Sequence, residues 1–70
     1  MKNLVVEKQE SGDLENRFIT IVIYEMDEGS MCVSDICSFN SEQLADRFMV
    51  ENFNILEPPK IGELKQVQIP

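Results

Sequence analysis

From Phe18 to Tyr24 the chain is apolar at every position except Thr20, and no glycine or proline interrupts the stretch from Arg17 to Met26. β-branched and aromatic residues dominate it, so it predicts a strand. Successive side chains of a strand point to opposite faces. Ile19, Ile21 and Ile23 therefore lie on one side, and Phe18, Val22 and Tyr24 on the other. A strand with one face in water alternates apolar with polar residues. This one does not, so both faces of any sheet it joins need cover.

The flanking sequence predicts the rest of the sheet. Residues 2–8 read as a first strand, with Leu4 and Val6 opposed to Val5. Residues 9–16 are polar and contain Gly12, which predicts a loop. Asp27-Glu28-Gly29 reads as a hairpin turn with Gly29 in the left-handed region after a type I turn. Gly29→Val is then expected to cost more than Gly12→Val. Residues 30–38 form the returning strand, with Met31 and Val33 opposed to Cys32 and Ile36. Asn40 or Ser41 suits a helix N-cap, and Asn40 with Gln43 resembles a capping box. The helix runs to about Asn54 with a stripe of Leu44, Ala45, Phe48 and Met49, and Phe53 at its margin. Pro58-Pro59 prevents its continuation. Residues 62–69 read as a last, polar edge strand. The expected fold is α+β: one domain over residues 1–70, with elements in the order β-β-β-α-β. A small antiparallel sheet carries one helix on one face. The second strand lies between the first and third, and the last pairs with either of them.

One helix covers one face. The other can be covered by a second copy, by a different protein, or by the 9–16 loop together with Ile55-Leu56. Burying three isoleucines is worth about 5–9 kcal/mol, comparable to the whole stability of a small domain. The expected partner-binding residues are accordingly Ile19, Ile21 and Ile23, joined at the hairpin end by Tyr24, Glu25, Asp27 and Glu28. Tyr24 and Phe39 are the aromatics most open to a partner.

Charge narrows the partner. Thirteen Asp and Glu face six Lys and Arg across 70 residues, for a net charge of −7 with no histidine. Such a surface repels phosphates, so direct nucleic-acid binding is not expected. The expected role is an acidic protein-interaction module that binds non-covalently through an apolar sheet face, as a homodimer or as a regulator or inhibitor of a larger protein. The alternative is an inhibitor of the phage or mobile-element type that imitates the charge of DNA and blocks a nucleic-acid-binding enzyme. Salt separates the two, because mimicry weakens steeply as ionic strength rises.

No enzyme is expected. Nucleophile–base pairs lack a histidine, the glycines at 12, 29 and 62 make no phosphate loop, and the calcium-loop spacing is absent. Cys32 and Cys37 differ in parity, so without a bulge they point to opposite faces, and zinc would lack its remaining ligands. No cofactor or metal is expected. Leu4-Val5-Val6 is too short for a signal-peptide core, and no run approaches the length of a membrane span, so the expected location is cytoplasmic.

Overall fold

In the computed structural model, which describes residues 2–69, β1 (Lys2–Gly12), β2 (Arg17–Asp27), β3 (Ser30–Phe39), α1 (Glu42–Phe53) and β4 (Leu64–Ile69) follow in the expected order. The strands form one antiparallel sheet in the order β3-β2-β1-β4. The last strand thus pairs with the first, β1 and β2 are central, and β3 and β4 are edges. The fold is α+β, with the helix on one face.

β1 extends four residues beyond its expected end, and its ladder with β2 continues to Gly12↔Arg17. Gln9, Glu10 and Ser11 are exposed, so their polarity is no obstacle to pairing. The loop shrinks to residues 13–16. Asp13 closes it, its Oδ1 accepting from the backbone N–H groups of Glu15 (3.0 Å) and Asn16 (2.7 Å). Gly12 enters this turn at φ 100°. At the other end of β2, Asp27 pairs with Ser30, which leaves a two-residue loop of Glu28 (φ 48°) and Gly29 (φ 83°). Two positive φ values define a type I′ turn, whose twist matches that of the strands. It replaces the type I turn expected from sequence.

Ser41, not Asn40, caps the helix, accepting from the Leu44 N–H at 3.2 Å. The third helical position is Leu44, so Asn40 and Gln43 form no capping box. Asn54 ends the helix at φ 55° with its N–H donated to the Val50 carbonyl. Ala45 and Met49 are fully buried, whereas Leu44 stays half exposed. They pack on Leu4, Val6, Ile19, Ile21, Ile23 and Val67, and Ile55 plugs the side of this core. Phe39 also points to the helix, stacking on Phe48 at 5.2 Å between ring centres. Phe39 is therefore part of the core margin and not a partner-facing aromatic.

Candidate functional site

The register assigns each strand side chain to a face. The helix takes the Ile19, Ile21, Ile23 side of β2, together with Leu4 and Val6 of β1. Ile19, Ile21 and Ile23 are 6%, 0% and 7% exposed. Their expected role as partner contacts is corrected accordingly, because the chain's own helix covers them. Glu25 shares their side of the sheet, and Asp27 and Glu28 sit at the hairpin tip. Only Tyr24 among the expected partner residues faces the other way.

That other face is uncovered. The short 13–16 loop does not reach across it, and Ile55 lies in the helix-side core. Cross-strand rows build it. One row runs Ile36, Val22, Glu7, Leu64, and the next runs Val33, Tyr24, Val5, Gln66. Met31 and Met26 follow toward the hairpin, and Phe18 lies at the opposite end. Val5 and Val22 are shielded by the side chains that flank them, whereas Met31, Val33, Ile36 and Leu64 are 46–58% exposed. Among the described residues Glu7 is the sole charged strand residue on this side. Polar residues border this band on the same face, Thr20, Ser38, Gln9 and Ser11 toward one end and Asn3, Gln66 and Gln68 along β4, so the exposed apolar area is the strip from β3 across the middle of the sheet to Leu64.

Glu7 is held in place. Tyr24 Oη and Gln9 Nε2 each donate to its Oε1 at 2.8 Å. The hydrogen bond to Glu7 raises the pKa of the Tyr24 phenol above its ordinary 10.0, with desolvation and the Glu7 charge acting in the same direction.

Among the described residues, the one buried charge lies on the helix side. Lys8, next on β1 after Leu4 and Val6, is 1% exposed. Its Nζ donates to Glu42 Oε2 at 2.9 Å and touches Asp46 Oδ1, which accepts no well-aligned hydrogen bond and is balanced by that charge contact. Burial lowers the Lys8 pKa, but hydrogen bonds and charge from Asp46 and Glu42 outweigh it and leave it above 10.5. Sequence reasoning missed this clamp. The signal was a like-charged i,i+4 pair early in the helix and a lysine at the inward parity of β1.

Raised pKa values of Lys8, Tyr24 and Cys37 all act in one direction on the pH response. Each group contributes its full stability below its unfolded value, and that contribution is lost as pH rises through the folded value. The melting temperature is expected to hold from neutral pH to about pH 9 and to fall above about pH 10. Tyr24 is the only tyrosine and there is no tryptophan, so ultraviolet absorbance reads its titration directly. Glu7→Gln is expected to bring that titration back toward 10; an unchanged midpoint would refute the Tyr24–Glu7 bond.

Cys32 and Cys37 are free thiols. Burial, then the nearby Asp35, pushes the Cys37 thiol pKa up, which makes it a poor nucleophile. Among the described residues no group of three His, Cys, Asp or Glu is placed to hold a metal ion, and no helix is long and apolar enough to cross a membrane. An open groove of about 530 Å³ lies between the end of α1 and β4, where Lys65 Nζ donates to the Glu57 carbonyl at 3.1 Å. It gathers no catalytic set of side chains. No protein-family model, curated protein or solved structure matches this chain.

Proposed function

We propose that this chain is a non-covalent binding module that docks another protein on the open face of its sheet. One observation carries the reading: in a chain of net charge −7, the uncovered side of the sheet offers Phe18, Met31, Val33, Ile36 and Leu64 to solvent beside a single carboxylate. Side chains so exposed gain free energy when a partner removes them from water, at about 25 cal/mol per Å² of apolar area. The acids are partitioned away from this face, where they maintain solubility.

Charge mimicry finds less support. It requires a dense, one-sided row of acids. Glu10, Asp13 and Glu15 sit at one end of β2, and Glu25, Asp27 and Glu28 at the other. Glu10 lies opposite Ile19, and Glu25 is six residues further along β2, so the nearest members of the two sets are about 20 Å apart and the outermost about 30 Å. On the helix, Glu42 and Asp46 are spent on Lys8.

Affinity purification from the cells that make the protein tests the reading, with wild type and Ile36→Asp as paired baits. Ile36 is 58% exposed on an edge strand, so its substitution is expected to leave the fold intact, as circular dichroism would check. A partner retained by the wild type through high salt, and bound at least about tenfold more weakly by Ile36→Asp, is the expected result. Equal retention on both baits, or release of the partner at moderate salt, would overturn it.

A further inference from the structure

Glu7 is a carboxylate in an apolar frame. Its cross-strand neighbours are Val22 and Leu64, and Val5 precedes it on the same face. Both of its donors, Tyr24 Oη and Gln9 Nε2, converge on Oε1. Among the described residues no donor reaches Oε2. In the free protein, water serves that oxygen. A docked apolar surface removes the water, and a desolvated carboxylate oxygen without a partner opposes binding strongly.

A second copy brings neutral donors to this face, Gln66 and Gln68 among them, but no cation to match the Glu7 charge. Lys2, Lys8, Arg17 and Lys65 all share the helix side of the sheet, Arg47 lies on the helix, and Lys60 lies in the loop before β4. Face-to-face pairing would bring two Glu7 carboxylates into one apolar interface with no cation to balance either, between molecules that each carry a charge of −7. Like charges across an interface exclude the wrong partner.

Resting on the reading of this face as a docking surface, we infer that its occupant is a foreign protein segment presenting one arginine or lysine within an apolar patch, and that Glu7 Oε2 receives that cation. Tyr24 and Gln9 are positioning residues. They hold the carboxylate by Oε1 and leave Oε2 for the incoming group. The apolar rows supply affinity, and Glu7 sets which apolar segments are accepted.

The test is selection of a random peptide library displayed on phage, against wild-type protein and Glu7→Gln. Binders are mapped to the open face by their loss on Ile36→Asp or, independently, on Val33→Asp, with both variants checked for fold by circular dichroism. Wild-type binders that map there are expected to share one basic residue among apolar neighbours. Exchanging it for glutamine in a synthetic peptide is expected to weaken binding about tenfold or more, and the Glu7→Gln protein is expected to show no such preference. Light scattering is expected to find the wild type monomeric at every concentration tried. Open-face binders without a basic residue, or equal affinity for the arginine and glutamine peptides, would overturn the inference and leave the docking reading standing. A wild-type dimer dissociated by Ile36→Asp would overturn it as well. No binder sensitive to Ile36→Asp or Val33→Asp would overturn the docking reading itself.

Discussion

Ile21→Asp is expected to abolish folding, seen as loss of the cooperative thermal transition and of the sheet signal in circular dichroism. Ile21 is 0% exposed, central on β2 and under the helix. Truncating a buried isoleucine costs about 2–5 kcal/mol through lost burial and the cavity left behind. The aspartate adds several kcal/mol, because its carboxylate is either desolvated and charged or forced to take up a proton. A domain of this size has only about 4–10 kcal/mol to lose, at roughly 0.05–0.15 kcal/mol per residue. The same exchange at Ile36, on the neighbouring strand but the open side, is expected to change stability by less than about 1 kcal/mol. A cooperative melt from Ile21→Asp, or collapse of both variants alike, would contradict the assignment of the two faces.

Gly12→Val is expected to melt about 5–15 °C below Gly29→Val. Both glycines hold positive φ, so both substitutions carry the backbone strain of a left-handed residue, about 1–2 kcal/mol. They differ in what the new side chain meets. A Cβ on Gly12 falls 1.9 Å from the Asn16 carbonyl oxygen, whereas one on Gly29 has nothing within 4 Å. The Asn16 carbonyl also accepts from the Asp13 N–H at 3.0 Å, so it cannot retreat without opening the loop. The sequence suggests the reverse order, because Gly29 sits in a recognisable hairpin turn and Gly12 looks like one residue of a loose loop. Tightness of the 13–16 connection is a tertiary fact. It follows from β1 running to Gly12, and polar Gln9, Glu10 and Ser11 conceal that run.

The architecture itself was legible. An unbroken β-branched run, a turn glycine, a capped amphipathic stretch and a polar final strand suffice for β-β-β-α-β with a covered and an uncovered face. What local pattern could not supply was the choice of face. Ile19, Ile21 and Ile23 are as apolar as Phe18, Val22 and Tyr24, and nothing within β2 ranks them. Its neighbours decide. Leu4, Val6 and the long stem of Lys8 extend the isoleucine side, and Glu42 and Asp46 on the helix meet the Lys8 ammonium there. On the far side the same strand places Glu7, whose carboxylate would be costly beneath a helix. Such cross-strand company depends on register, and register becomes readable only once strand ends are known.

Ser34 has no partner on β2. The ladder passes from Ile23↔Asp35 to Tyr24↔Val33, and this bulge reverses the parity of β3 beyond it. Cys32 and Cys37, which simple alternation would send to opposite faces, thus both lie on the helix side, paired with Glu25 and Ile21. Of the two, Cys32 is the exposed one. A fluorophore or spin label attached to Cys32 by maleimide chemistry would ride on the helix side of the sheet and leave the opposite face, the one proposed for docking, unobstructed.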